Sequence, residues 1–384
     1  MAEQVSKFSC APIVHHGPGA LGELAGEIAK LGGQRVALVT DPGLIRAGLV
    51  DRVRQAAGVD LHLFSEVEPE PPYELVHRCV DFLRAHECDL VIGLGGGSAI
   101  DVAKMAAVMM ANPGRVPDYW GVGLVRRRGL PVIGIPTTAG TSAEISAAAV
   151  FVDPEAQSKK GIRSDFILCQ TAIMDPTLTI GLPRDLTAYT GMDALTHAIE
   201  AYTSPRATLV TAGNAEQSVA LIGAHLRQAY ANGESLAARS GMMAGCLFAG
   251  LALNEVNVGA VHGLSQTLGG RFHVGHGLAN ALFLPYVMAF NRIACREQYA
   301  RVAMLLGEKI EGLSLDEASR RGVEAVRRLS LDLGVPQRLR DLDIPEEALD
   351  DIAPLCIETQ SRVMTNNPRK MTVEDARQVL HEAY

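Results

Sequence analysis

The sequence predicts two domains, an α/β N-terminal half built on a parallel sheet and an all-helical C-terminal half, meeting near residue 183. Three observations carry this prediction. The 384 residues exceed what one simple core organises. Up to Leu182-Pro183, short continuous apolar runs alternate with helical stretches. From Asp185 onward nearly every segment repeats its apolar positions at helical spacing, with no strand candidate among them. The expected domains are therefore 1–183 and 184–384.

Residues 35–40 (RVALVT) read as a buried strand, closed by the turn signal Asp41-Pro42-Gly43. Over 72–87, Leu75, Cys79, Val80, Phe82 and Leu83 fall on one helical face. Residues 89–94 and 130–135 read as second and third strands. Their apolar runs are continuous rather than alternating, which indicates a sheet covered on both faces. In the second half helices are expected over 185–203, 208–231, 234–268, 278–291, 295–307, 315–334 and 345–358. A last helix starts at Thr372, whose hydroxyl can cap it while Glu374 and Asp375 favour its positive end.

Composition excludes several classes. With 48% hydrophobic and 20% charged residues the chain is globular rather than disordered. A net charge of -8 argues against a nucleic-acid partner, which needs a basic surface. No run of about 18 uncharged apolar residues is present, so no membrane span is expected. The start, MAEQVSK, lacks the basic-then-apolar pattern of a secretory signal. Seven scattered cysteines, odd in number and without a Cys-x-x-Cys pair, fit reduced thiols in the cytoplasm better than a disulfide framework or zinc knuckle.

Gly95-Gly96-Gly97-Ser98 follows the second strand and opens a helical run. Adjacent residues without Cβ let backbone N–H groups approach an anion, and the following helix aims its positive end there. A plain strand-to-helix turn needs one glycine rather than three, so the loop points to a pyrophosphate. Asp41, at the end of the first strand, can bond a ribose hydroxyl and would repel a 2′-phosphate. It also suits a simple turn before Pro42. The loop 136–142 (PTTAGTS) after the third strand offers hydroxyls and small residues for close contact with a ligand.

Asp193 and His197 are four residues apart in a strong helical pattern and so project from one face. His262 sits in a second helix expected to stop at Gly269-Gly270, and His276 stands at the entry to the helix that follows. Each histidine alone reads as a hydrogen-bonded core residue. Together, one carboxylate and three imidazoles suit a divalent first-row cation such as Fe²⁺ or Zn²⁺ and leave room for a substrate oxygen.

With these motifs the chain resembles the iron-containing, or group III, alcohol dehydrogenase family from about Phe8 to the C-terminus. The marks are Gly-Pro-Gly-Ala-Leu at 17–21, Val-Thr-Asp at 39–41, GGGSAIDVAK at 95–104 and PTTAGT at 136–141. GMDALTHAIEAY at 191–202 and Asn-Pro-Arg at 367–369 complete them. The resemblance implies a dehydroquinate synthase-like fold, with an α/β dinucleotide-binding domain, a helical domain and an active site in the cleft between. It implies that Asp193, His197, His262 and His276 ligate Fe²⁺, sites at which Zn²⁺ and Mn²⁺ tolerate the same ligands. It assigns NAD(H) contacts to Asp41, Gly95, Gly96, Gly97, Ser98, Asp101, Thr137, Thr138 and Ser142, with Lys159 or Lys160. The acid at Asp41 favours NAD over NADP.

Three departures stand out. Many members carry a second histidine one turn after the first, where this chain has Gln266; that group is assigned to proton handling or substrate contact, and His273 in the adjoining loop is the candidate substitute. Leu253 replaces an aromatic, with Glu255 and Asn257 adding polarity. Ser142-Ala143-Glu144 replaces the more frequent Gly-Ser-Glu. The expected protein is a cytoplasmic homodimer that interconverts a small alcohol and its aldehyde or ketone, without nucleic acid or membrane as partner. The alternatives are a reductase of a polar aldehyde or glycerol-phosphate-type substrate on the same fold, the latter disfavoured by the 191–202 run, and a non-catalytic protein that holds NAD and metal in an assembly.

Overall fold

The computed structural model describes residues 7–156 and 158–384, so most of the segment read for a secretory signal lies outside the described residues. Contacts divide the chain into two compact units, one of Ser9–Ile180 and one built on Gly181–Tyr384.

The first unit centres on a six-stranded sheet formed by β1 (Ile13–His16), β2 (Val36–Val39), β3 (Leu61–Phe64), β4 (Leu90–Gly95), β6 (Val132–Pro136) and β9 (Thr171–Met174). The order is β1-β9-β6-β4-β2-β3, and every neighbouring pair is parallel. Alternation along each strand serves both faces. Val36 and Leu38 join a core with Leu24, Ile28 and Val53, whereas Ala37 and Val39 join another with Leu75, Val76 and Ile100. After β2 the chain adds β3 on one side and then β4, β6 and β9 on the other. The order therefore reverses between β2 and β4, and ligands of open α/β sheets bind beyond the strand ends at such a point.

The sequence reading found β2, β4 and β6, because these are the buried central strands. It did not resolve β1 and β3 at the sheet edges, nor β9, which is buried and central but whose apolar run is cut short by Gln170 and Asp175. Nor did it find the second sheet, which joins β5 (Gly121–Val122), β8 (Ser158–Arg163) and β7 (Ala148–Asp153) in that order. β8 reads SKKGIR, too polar to signal a strand, and is held by antiparallel pairing with β7.

The second unit contains no strand among the described residues. Its helices include Arg184–Thr203, Leu209–Ala231, Leu236–Val256, Ala260–Phe272 and His276–Asn291. The helix expected over 234–268 is two helices. Asn257 adopts φ 68°, ψ 172°, a conformation outside the helical region, and Val258-Gly259 complete the break. The second of them runs on through Gly269-Gly270 to Phe272. The segment expected over 345–358 begins as a 3-10 turn, Glu346–Ala348, and becomes α-helical at Leu349–Thr359. Thr372 caps the last helix, accepting from the Asp375 N–H as expected.

Leu236–Val256 has the length and apolarity of a membrane span. It is instead a core helix. Its Arg239 is buried and donates to the Thr187 hydroxyl at 2.8 Å and to the Gly233 carbonyl at 2.8 Å.

Candidate functional site

Four side chains converge in the helical unit. One ligand atom from each of Asp193, His197, His262 and His276 lies within 4.8 Å of the others, with the first three residues buried and His276 half-buried. Asp193 and His197 are stacked one turn apart on the Arg184–Thr203 helix, as their spacing requires. His262 stands in the first turn of Ala260–Phe272, and His276 is the first residue of His276–Asn291. Gly277 lets that last helix approach: a Cβ there would stand 2.7 Å from the Tyr189 carbonyl oxygen.

The His197 and His262 Nε2 atoms are 3.0 Å apart, and Asp193 Oδ1 lies 3.7 to 3.8 Å from the Nε2 atoms of His197, His262 and His276. Bonds of about 2.1 Å in a tetrahedral arrangement space their donors roughly 3.4 Å apart, so this set matches donors sharing one cation. The tautomer of His262 agrees. Its Nδ1 lies 2.6 Å from Glu200 Oε2, and a carboxylate there accepts a hydrogen bond from Nδ1–H, which leaves the Nε2 lone pair facing the nest. Burial pushes the Asp193 carboxyl up, but the charges of His197, His276 and His262 and a bond from Asn280 outweigh it and hold the group below its ordinary value. Asn280 Nδ2 stands 2.7 Å from Asp193 Oδ1 and 3.0 and 3.2 Å from the Nε2 atoms of His262 and His276. A set of buried lone pairs that draws in the positive end of an amide is suited to a divalent cation.

Glu200 is the residue the sequence reading missed. It accepts from the Gly259 N–H at 2.9 Å and the Val261 N–H at 2.8 Å as well as from His262. Ala260–Phe272 has no capping side chain of its own, so a carboxylate from a neighbouring helix caps it. The available signal was spacing: Glu200 lies three residues after His197, on the same side of the helix as Asp193 and His197, in the buried stretch 191–200.

Gln266 is half-buried one turn beyond His262 on the same helix. His273 lies outside the converging set. It is exposed, occupies the left-handed C-cap of Ala260–Phe272 at φ 56°, and stands about three turns from His262.

In the α/β unit, Asp41 at the end of β2 and Gly95 to Ser98 at the end of β4 lie at the β2/β4 reversal. Gly95 ends β4 at φ 148°, and a Cβ there would stand 2.9 Å from Ala99 Cβ and 3.7 Å from Asp41 Oδ2. Asp41 Oδ1 accepts from the Gly43 and Leu44 N–H groups, so one oxygen caps the next helix while the other faces the glycine loop. Both readings of Asp41, turn residue and ribose partner, are compatible in one side chain. The Gly97–Met109 helix has Gly96 as N-cap and no capping side chain, which leaves its first-turn N–H groups for an anion. Thr138 borders Gly96, and Ser142 sits at φ 54° in the adjoining loop.

Three assignments find their side chains engaged elsewhere. Asp101 turns inward, 3.0 Å from Lys104 Nζ and accepting from the Val150 N–H at 2.9 Å, because its place in the helix faces β7 rather than the loop. Lys159 pairs with Glu70. Lys160, its neighbour on β8, pairs with Asp153 at 2.7 Å.

A family model described as iron-containing alcohol dehydrogenase matches residues 11–176, and one described as the C-terminal part of the Fe-containing alcohol dehydrogenase family matches 187–384. The chain is 40% identical to long-chain-alcohol dehydrogenase 1 of Geobacillus thermodenitrificans over 99% of its length and 97% of that protein's. A crystal structure of 1,3-propanediol oxidoreductase superposes with a TM-score of 0.96 at 37% identity, covering 99% of this chain and 100% of that one. Sulfoacetaldehyde reductase from Bifidobacterium kashiwanohense, solved in complex with NAD+, superposes with a TM-score of 0.89 at 27% identity, covering 99% of both chains.

Proposed function

The chain belongs to the iron-containing alcohol dehydrogenase family, and from that premise we propose how its own residues divide the work. It is an oxidoreductase that interconverts an alcohol and its aldehyde or ketone, using NAD(H) and a divalent metal. We assign the metal to Asp193, His197, His262 and His276. The observation that carries this is the convergence of their four ligand atoms within 4.8 Å, with His262 turned by Glu200.

A divalent cation held there supplies Lewis acidity toward the substrate oxygen. Bound NAD(H) would supply the hydride acceptor or donor. Asp193 contributes the one negative charge of the set, which keeps a bound dication partly uncompensated and therefore electrophilic. Glu200 keeps the His262 proton on Nδ1, away from the metal-facing edge. Gly95, Gly96 and Gly97 with Ser98 bring the backbone up to the cofactor phosphates, while Asp41 Oδ2 takes the ribose hydroxyl. Thr137, Thr138 and Ser142 line the same strand ends. Lys159 and Lys160 serve this site only by exchanging their present acidic partners. For the proton released on oxidation we assign Gln266 to substrate contact beside His262 and His273 to exchange with solvent.

We also propose a cytoplasmic homodimer. All seven cysteines are free thiols and six are buried, which fits a reducing compartment, and closed two-fold pairing is the commonest assembly of soluble enzymes. The test of function is direct. Protein reconstituted separately with Fe²⁺, Zn²⁺ and Mn²⁺ is given NAD+ and a panel of alcohols from methanol to long-chain and polar ones. NADH absorbance should rise and a chelator should abolish it. Metal-loaded protein that turns over no alcohol or aldehyde would support the assembly reading instead.

A further inference from the structure

The Asn366-Asn367-Pro368-Arg369 stretch lies far along the chain from the ligands and has no part in the assignments above. Its side chains nevertheless close on the junction that precedes His262. Asn366 Nδ2 donates to the Asn257 carbonyl at 2.9 Å and to the Val258 carbonyl at 3.1 Å. The Ser204 hydroxyl donates to Asn366 Oδ1 at 2.9 Å, which fixes the amide's orientation. Asn366, Asn367 and Ser204 are all buried. Asn367 is locked in turn by a reciprocal pair of bonds with Asn291, at 2.7 and 2.8 Å. Met364, just upstream, packs where a Cβ on Gly263 would stand, directly beside His262.

The junction needs such a restraint. Asn257, at φ 68° and ψ 172°, occupies backbone space that glycine enters freely and other residues do not. A residue held there relaxes unless its surroundings over-determine it. Relaxation at Asn257 would swing Val258 and Gly259, and with them the first turn of Ala260–Phe272. That turn holds the Gly259 and Val261 N–H groups on Glu200 and the His262 ring in the nest. The restraint and the ligand are thus separated by one short, strained peptide segment.

We infer that the Asn366 amide, oriented by Ser204, is a positioning residue for the metal ligand His262: it clamps the strained Asn257-Val258 junction so that Glu200 and the cation site receive the helix in register. The inference rests on the metal assignment made above. Its signature is an affinity for metal, set by residues that touch none.

The test measures Zn²⁺ affinity of the full-length apoprotein by competition with a chromophoric chelator, beside far-UV circular dichroism. Asn366→Ala should weaken Zn²⁺ binding by about 10–100-fold, the range expected on loss of an outer partner of a metal ligand. Adding Asn257→Gly to that variant should restore affinity to within about threefold of wild type, because glycine holds the junction conformation unaided. Asn257→Gly alone should bind as wild type does. A merely structural role for Asn366 would not be rescued at this one position. Should Asn366→Ala fail to fold, Ser204→Ala, which unties the amide without removing it, is read in the same assay. Wild-type affinity in Asn366→Ala, or in Ser204→Ala where that stands in, overturns the inference, as does a double variant no tighter than Asn366→Ala. Wild-type protein that binds no Zn²⁺, or keeps its affinity on His262→Ala, overturns the metal assignment and this inference with it.

Discussion

Both units bury charged and polar side chains, and they resolve the cost in opposite ways. In the α/β unit Lys104 is fully buried, yet it sits 3.0 Å from Asp101 and donates to the Ala143 carbonyl at 2.8 Å and to the Ala148 carbonyl. Beside them Glu144 is fully buried, and burial, opposed by Lys104, pushes its carboxyl up to about 7. Positive charge, negative charge and a protonatable acid answer one another within the chain. In the helical unit Asp193, His197, His262 and His276 bring four electron-pair donor atoms within 4.8 Å of one another, and the Asn280 amide donates to Asp193 at 2.7 Å. Buried polarity therefore marks a site when its members all offer lone pairs to one point, and marks scaffolding when opposite charges cancel.

The strongest way to break that contrast is to remove one convergent donor. His262→Ala or His276→Ala should lower metal affinity on the order of a thousandfold, about 4 kcal/mol, and abolish turnover while the chain stays folded. Metal analysis after gel filtration, with circular dichroism for the fold, decides it; a full equivalent of metal in either variant refutes the assignment. The converse change belongs to the scaffold. Lys104→Met leaves Asp101 buried without its counter-charge and should cost about 3–5 kcal/mol in urea unfolding, with metal per folded chain unaltered. Stability equal to wild type would mean that the pair cancels nothing.

Glu144 sharpens the comparison through pH. Its folded value is raised from 4.5 to about 7, so between those values the native state holds more protons than the unfolded one, and stability falls as pH rises through the window. The loss is complete above about pH 7 and amounts to on the order of 3 kcal/mol. Glu144→Gln should flatten that slope, gaining on wild type at pH 8 and not at pH 4; parallel curves from pH 4 to 8 would exclude a buried, protonated acid. The smallest effect is expected at Asp41. Asp41→Gly removes the charge that repels a 2′-phosphate while costing only tenths of a kcal/mol as a cap, and should move the NADP-to-NAD preference by roughly tenfold, or 1.4 kcal/mol. Steady-state kcat/KM with both cofactors measures it, and an unchanged ratio would remove Asp41 from the ribose.

The converging set of Asp193, His197, His262 and His276 was legible because much of its information is local. Asp193 and His197 share a helix face by spacing alone, and His262 and His276 stand out as imidazoles in apolar helical segments. The central strands β2, β4 and β6 were legible for a similar reason, since burial on both faces writes an unbroken apolar run. The periodicity over 234–268 misled, because the apolar spacing persists through Asn257 while the backbone does not.

By itself, the sequence determined the fold class, the family and the four candidate side chains Asp193, His197, His262 and His276, through short-range spacing and the resemblance its motifs carry. Tertiary structure alone decided that Asp101 turns inward to Lys104, that Glu200 caps the ligand helix and orients His262, and that Asn366 reaches 108 residues back to the Val258 carbonyl. A helix can be read from its own repeat, but the partner of a buried polar atom is chosen by whichever distant segment packing delivers to it, and no local pattern records that choice.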